Sequence, residues 1–427
     1  MADSDSFMGD EPMSYPAAFP GPLSIPNMPP PPNQPPSPGP DQFGGAAMFP
    51  PQEGPGEFNQ IVEETRLLAE RTARETKNAF STSKLWEFER TLGNGAYGIT
   101  MLIRNKSYFA RRPKRVVLKR SIRQDEGQRD LINEMDSLRA LRGHAHIGQL
   151  IDAIEDVVYT RPRAGRIAAI ARRMLGMIEN PPENIFKILH LRRGPALILE
   201  YIENGSLASL KQKIYARRIQ LPNRVLWSWF YCLTRACVGL THEKENFKGG
   251  PLELETLQPA GEDHFPLEHR DIAARNLMIA DSEPTVPEHQ LVPKLVMIDF
   301  GIATWAPNAY YAQLANMYGI SMVMMYLIVV DRALRGQVRI TNHNGIVTKA
   351  GLILPNNGVD PFPRLDPDLR DLLVRTLNNV DAQRPELPQV FEEVRVGMMK
   401  DASAYPGNIY ETDDYIRGLL QRLLNDA

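Results

Sequence analysis

The sequence predicts an α+β protein, with strands gathered early in the chain and helices later. Two observations carry this. From Leu85 to Lys119 the apolar residues fall in short runs, Leu85–Glu89, Ile99–Ile103 and Val116–Lys119, of strand length and composition. Beyond Glu134 the patterns take helical spacing: Glu134–Leu141 sets Leu138 and Leu141 inward, Ile320–Val330 is almost wholly apolar, and Thr412–Leu424 is amphipathic. A run of strands followed by a run of helices is an α+β pattern.

The chain has 427 residues, a formal net charge of −2 and 43% hydrophobic residues. These are the values of an ordinary globular protein and point to neither nucleic acid nor a membrane surface as the main partner. Cys232 and Cys237 lie five apart on an apolar helical stretch, which orients them poorly for bridging each other. So few cysteines do not make a disulfide scaffold, and a reducing compartment, cytoplasmic or nuclear, is expected. The opening Met-Ala-Asp-Ser-Asp has no basic region before an apolar core, so no signal peptide is expected. Ile320–Val330 is about half of what a membrane-spanning helix needs and reads as a core helix.

Residues 1–57 are rich in Pro and Gly and poor in aliphatics. Such a composition holds local polyproline II but buries no core, so a disordered tail is expected. Within it, Pro32–Pro35 fits a PxxP ligand pattern, against the plainer reading as a solvated linker. Residues 58–82 read as a helical linker. Phe58–Phe80 lacks Pro and Gly, carries Phe58, Ile61 and Leu68 among charges, and ends at Ser81-Thr82-Ser83. The globular domain is expected over 83–400, with a helical extension over 401–427. Two stretches read as insertions. Residues 161–193 are rich in Arg, and their plain reading is a solvated excursion, ahead of a docking element. Residues 243–268 read as a loop rich in Gly, Pro and Glu. The tail and the 161–193 insert are the two candidate places for a docking partner.

Four motifs carry chemistry. Leu92-Gly93-Asn94-Gly95-Ala96-Tyr97-Gly98 contains GxGxxG. Its main rival, a dinucleotide-binding fingerprint, needs a helix directly after the glycines, and here the strand pattern Ile99–Ile103 follows. A strand–glycine loop–strand unit lets backbone N–H groups approach phosphates with no Cβ in the way. Val116-Val117-Leu118-Lys119 ends an apolar strand in a lysine, which is costly to bury unless paired, and Glu134 is the natural partner. The specific signals are His269-Arg270-Asp271 with Asn276 five residues beyond the Asp, and Asp299-Phe300-Gly301 behind Val296-Met297-Ile298. Asp271 suits the acceptance of a hydroxyl proton. Asn276 and Asp299 offer the oxygen ligands that Mg²⁺ takes. Lys119 and Glu134, each taken alone, are more often plain surface charges; the combination of motifs points to phosphoryl transfer.

Carrying these motifs in this order, residues from about 85 to about 397 resemble the eukaryotic protein kinase domain. The likeness continues between them. His144-Ala145-His146-Ile147-Gly148-Gln149-Leu150 resembles the family's HPNIVKL segment, Ala196–Tyr201 its fifth strand and hinge, and Asp381-Ala382-Gln383-Arg384-Pro385 its late DPxxRP turn. The family implies a two-lobed kinase-like fold, a small β-rich N-lobe with one main helix over 83–199 and a larger helical C-lobe over 203–400. It implies ATP and Mg²⁺ as ligands. Catalytic roles would fall to Asp271, Lys119, Glu134 and Arg275, and metal ligation to Asn276 and Asp299. ATP would meet Gly93, Gly95, Gly98, Thr100, Val117, Lys119, Glu200, Ile202 and Met278. Leu199 would be the gatekeeper, and Leu138, Leu150, His269 and Phe300 would stack as a regulatory spine.

The sequence also departs from the family. From Asp299 to the helix expected near Asn316 there are only about seventeen residues, and no Ala-Pro-Glu motif follows. Arg384 thereby loses its usual glutamate. Asn316 stands where the family has an aspartate bracing the His-Arg-Asp backbone; its side-chain oxygen still accepts those N–H bonds, without charge assistance. Val117 replaces an alanine against the adenine. Ala273-Ala274-Arg275 is the loop style of receptor-type tyrosine kinases. The expectation is an ATP- and Mg²⁺-dependent protein kinase, Ser/Thr or Tyr undecided. The alternatives are a pseudokinase scaffold and a kinase of a non-protein substrate.

Overall fold

The computed structural model describes residues 55–95, 98–106, 115–122, 126–154, 185, 195–241, 250–257, 266–334 and 336–425. Residues 1–54 of the expected tail, most of the 161–193 insert and parts of 243–268 therefore lie outside the described residues. The described chain is α+β, with eight α-helices and small antiparallel sheets. No helix among the described residues is long and apolar enough to cross a membrane.

The main sheet has five strands: β1 (Trp86–Asn94), β2 (Gly98–Asn105), β3 (Arg115–Ser121), β4 (Leu150–Ile154) and β5 (Ala196–Glu200), in the order β1-β2-β3-β5-β4. All neighbours are antiparallel. Alternation along each strand divides the sheet into two faces. Ile99, Met101, Ile103, Val116, Leu118, Ala196 and Ile198 belong to one core, which also holds Phe80, Trp86 and Ala69. Val117, Lys119 and Leu197 are out of phase with that set and lie on the other face; Leu197 joins the larger core with Leu131, Met135 and Leu138 of helix α2 (Glu126–Ala140).

Helix α1 (Pro55–Phe80) supplies Ala69 and Phe80 to the first of these cores. Its Thr76 hydroxyl accepts a hydrogen bond from the Arg120 guanidinium at 3.1 Å. The segment expected to be a linker from residue 58 thus starts at Pro55 and is a structural layer of the sheet. The charged face seen in the sequence is real, with Arg66 paired to Glu63 and Glu70. The opposite face is what the sequence undersold, because Ala69, Ala73 and Thr76 are small and carry little apolar signal.

The rest is mainly helical: α3 (Leu207–Arg217), α4 (Asn223–Gly239), α5 (Ala309–Ile328), α6 (Pro367–Thr376), α7 (Leu387–Met398) and α8 (Asp413–Asn425). Helix α4 is central and buried on nearly every side. Gly397 of α7 is forced by it, since a Cβ there would meet the Trp227 ring at 2.4 Å. The helix of the expected C-terminal extension contributes to the core. Ile416, Leu419, Leu420 and Leu423 lie in the main core, and the buried Glu411 carboxylate accepts the backbone N–H of Asn223 at 2.8 Å. Short ladders join β6 (Leu267–Glu268) to β9 (Thr304–Trp305) and β7 (Leu277–Ile279) to β8 (Leu295–Met297). The hairpin of β10 (Thr341–His343) and β11 (Ile346–Thr348) turns through Asn344 and Gly345, both at positive φ, the left-handed pair a tight two-residue loop requires.

Candidate functional site

Lys119 sits on β3 between β2 and β5, opposite Thr100 on one side and Leu197 on the other. This register sends its side chain toward α2, where Glu134 is 1% exposed. The Lys119 ammonium lies 2.7 Å from a Glu134 carboxylate oxygen and 2.7 Å from Asp299 Oδ1. Burial opposes the charge on Lys119, but the two carboxylates outweigh it and hold the ammonium above its usual range. Burial pushes the Glu134 carboxyl up against the pull of Lys119. Asp299 is also desolvated, yet Lys119 holds its carboxyl below the usual aspartate value. The pairing expected from Val116–Lys119 and Glu134 is thus formed, and it extends to a residue 180 positions away.

Asp299 has φ of 69° and Arg270 φ of 64°. Both are non-glycine residues in the left-handed region, which costs of order 1 kcal/mol or more and persists where surrounding contacts over-determine it. Those contacts are visible. The Asn133 amide of α2 donates to the carbonyls of Gly301 at 2.9 Å and Ala303 at 2.8 Å. On the other side, the His269 ring is buried and stacks against Phe300 with centroids 4.6 Å apart. Its Nδ1 accepts the Asp271 N–H at 3.2 Å and its Nε2 faces the Ile298 carbonyl at 3.1 Å, the pattern of a neutral imidazole donating through Nε2. Burial pushes the His269 pKa down, in keeping with that state.

Asp271 meets Arg275 in an ion pair and Asn276 in a hydrogen bond of 2.9 Å from Nδ2. A second bond from the same nitrogen reaches the Asp271 carbonyl, also at 2.9 Å. With its nitrogen committed, Asn276 presents Oδ1 as its free acceptor. Asn276 and Asp299, the latter 42% exposed at its side chain, each carry the kind of oxygen that a hard divalent cation takes. The backbone links the two: the Ile298 N–H donates to the Asn276 carbonyl at 2.9 Å.

The other expected residues fall around this centre. Val117 is buried and Thr100 and Met278 are half-buried. Met278 lies on β7, bridged to Ser206 beyond the end of β5. Glu200 closes β5 with its side chain on the Gln149 N–H at 2.8 Å, and Ile202 follows it, buried. Leu138, Leu150, His269 and Phe300 are all buried. Among the glycines, a Cβ at Gly98 would meet the Arg120 carbonyl oxygen at 3.2 Å, whereas at Gly93 and Gly95 it would meet nothing within 4 Å. Gly93 is still in β1, paired with Thr100. Among the described residues, packing therefore accounts for Gly98 and not for Gly93 or Gly95. A cavity of about 270 Å³ opens elsewhere, around Gln220, Asn223, Arg364 and Tyr410, and includes none of these residues.

The segment after Asp299 is shorter than expected. Helix α5 begins at Ala309, capped by Asn308, whose Oδ1 accepts the Tyr311 N–H at 3.1 Å, and not near Asn316. The cap was legible as Asn308 before an apolar stretch; the polar Asn316 obscured the continuity of the helix. Arg384 pairs with Asp381 at 2.5 Å and lies over the Tyr318 ring, 4.5 Å from its centroid. No protein-family model matches the chain, and a search of curated proteins returns no match.

Proposed function

We propose that this protein is an ATP- and Mg²⁺-dependent kinase with the two-lobed architecture of eukaryotic protein kinases, transferring the γ-phosphoryl of ATP to a hydroxyl. The observation that carries the reading is the meeting of Lys119, Glu134 and Asp299, from three separate segments, with Ile298 before Asp299 bonded to Asn276 of the Asp271–Asn276 pair. A lysine held cationic by two carboxylates suits a phosphate-binding role. The open space above Gly93 and Gly95 supports close approach of a ligand to that backbone.

In this reading Asp271, oriented by Asn276 and Arg275, accepts the proton of the attacking hydroxyl. Arg275, exposed at the site's edge, balances its charge. Asn276 and Asp299 would hold Mg²⁺, which when bound offsets charge on the phosphates. Glu134 and Asp299 keep Lys119 in place, and Asn133 keeps the Asp299-Phe300-Gly301 turn in place. Catalysis by such a site is mostly positioning and electrostatics.

A second reading has a specific observation behind it. The short path from Asp299 through β9 into α5 leaves little chain for a peptide platform, which favours a small hydroxyl substrate or a scaffold without turnover. The test is incubation of the full chain with labelled ATP and Mg²⁺, with and without peptide libraries, beside Asp299→Asn. Transfer to peptides that the variant lacks supports a protein kinase. Turnover without peptide transfer supports the small-substrate reading, and equal signals from variant and parent reject an active kinase.

A further inference from the structure

Behind the site, three segments bring a cysteine and two histidines together in the core. His146 comes from the turn after α2, Cys232 from the middle of α4, and His289 from the short 3-10 turn Pro287–His289 before β8. All three are buried, at 0%, 1% and 1% exposure. One donor atom from each, Sγ and two ring nitrogens, lies within 4.8 Å of the others. Buried polar atoms normally have hydrogen-bond partners, and each exception calls for an explanation. Among the described residues His146 Nε2 has none, and neither ring nitrogen of His289 has one.

We infer that His146, Cys232 and His289 bind a single zinc ion, with Glu255 orienting the His146 ring from behind. The ligand chemistry is that of zinc: imidazole nitrogen and thiolate sulfur around one point. Zinc bonds of about 2.0–2.3 Å set ligand atoms roughly 3.3–3.8 Å apart, so small side-chain rotations close the set around the ion. The fourth position would go to water.

Glu255 supplies the outer partner that metal-bound histidines take. Its Oε2 lies 2.6 Å from His146 Nδ1, and its Oε1 accepts the His146 backbone N–H at 2.8 Å. A carboxylate on one ring nitrogen directs the other nitrogen to the metal and raises its basicity. The charges also sum to zero: two positive on zinc, one negative each on the thiolate and Glu255, which a buried site requires. Cys232 stands apart from Cys237 on the same helix. Both are buried, but Cys232 is the one whose Sγ meets two imidazole nitrogens within 4.8 Å. Neighbouring pairs brace the site, with Arg235 2.9 Å from Glu288 beside His289.

The position has a consequence for the functional site. The His146 carbonyl accepts the Met297 N–H at 2.8 Å, and the Gly148 N–H donates to the Met297 carbonyl at 2.9 Å. Met297 is two residues before Asp299, so the zinc would tie α4 and the His289 turn to the strand that delivers Asp299.

The test uses the full chain purified from zinc-supplemented medium, its metal content read by elemental mass spectrometry after dialysis against a weak chelator. About one zinc per chain is expected, falling at least about tenfold in Cys232→Ser and in His289→Gln but retained in Cys237→Ala. Should the first two variants fail to fold, exchange of the parent with Co²⁺ decides: a bound thiolate gives a sulfur-to-cobalt charge-transfer band in the near ultraviolet. Metal-free protein whose melting temperature zinc does not raise, copper in place of zinc, or a cobalt spectrum without that band overturns the proposal.

Discussion

Asn316 accepts the backbone N–H of His269 at 3.0 Å and donates through Nδ2 to the Leu267 carbonyl at 2.9 Å. One buried amide on α5 therefore closes two backbone bonds at the strand that leads into Asp271. Replacing it with Ala leaves a buried donor and a buried acceptor unmet, which costs about 1–3 kcal/mol for such a group. The urea midpoint of Asn316→Ala is expected to fall accordingly, while Asn316→Asp, still an acceptor for His269, keeps more of the stability. Equal losses in both variants would contradict this account of the brace.

Lys119 is the sole cation beside Glu134 that the ion pairs of the described residues show. Lys119→Met strands a fully buried carboxylate, and breaking a buried pair from one side costs about 3–5 kcal/mol. The double variant Lys119→Met with Glu134→Leu removes both charges and is expected to be more stable than the single one. Denaturation curves of the pair of variants check this; a double variant less stable than the single would show that Glu134 serves the fold independently of Lys119.

The sheet strands, the helical α2 and the Lys119–Glu134 pair were legible because each has a strong local signal: strand-length apolar runs, helical spacing, and a charge placed where only a partner makes it tolerable. Asn316 was legible as a brace because an amide oxygen does the same geometric work as a carboxylate. What sequence reasoning missed is non-local. Nothing near His289 marks it as buried, and His146 was read only within the segment that resembles HPNIVKL; the packing of α4 against both segments brings them to Cys232. Glu255 lay in a stretch read as loop, yet it is 1% exposed. Helix α1 was read as amphipathic on Phe58, Ile61 and Leu68, but the part of its docking face built on Ala69 and Thr76 has no pattern strong enough to see before the sheet is known.

Asp366 makes stability depend on acid. Its carboxylate receives the Trp227 Nε1–H at 3.0 Å, the Lys400 ammonium at 2.8 Å and the Tyr405 hydroxyl at 2.5 Å. Burial opposes the charge, but these three donors hold the carboxyl below its usual value. A depressed folded pKa means the unfolded chain binds more protons. The contribution is therefore complete above the unfolded value of about 3.9 and disappears as pH falls through the folded one. Asp366→Asn is expected to lower the melting temperature at pH 7 and to flatten its fall as pH drops below about 4. Parallel curves for variant and parent would count against the linkage.

Activity is expected not to require phosphorylation after Asp299. Thr304, Tyr310 and Tyr311 are the acceptors there. Asn133 already fixes the start of the segment, β9 is zipped to β6, and Tyr310 and Tyr311 sit in the first turn of α5. A segment so ordered leaves a phosphate little conformational entropy to remove. Phosphatase-treated protein, its mass confirmed as unmodified, and the triple variant Thr304→Ala, Tyr310→Phe, Tyr311→Phe are expected to transfer phosphoryl at the parent rate. A loss of orders of magnitude in the dephosphorylated protein would make the segment a switch.

The same ladder gives the molecule its own fluorophore. Of the four tryptophans, Trp86 and Trp227 are 1% exposed, Trp229 is 0% exposed, and Trp305 on β9 is 51% exposed. Iodide in solution reaches only the last of these, so the quenchable part of the intrinsic emission belongs to the stretch between Asp299 and α5. Any ligand that lifts β9 from β6 or seals it down changes that fraction, and Trp305→Phe supplies the blank. Motion of the segment can thus be followed in the unlabelled protein while nucleotide is titrated in.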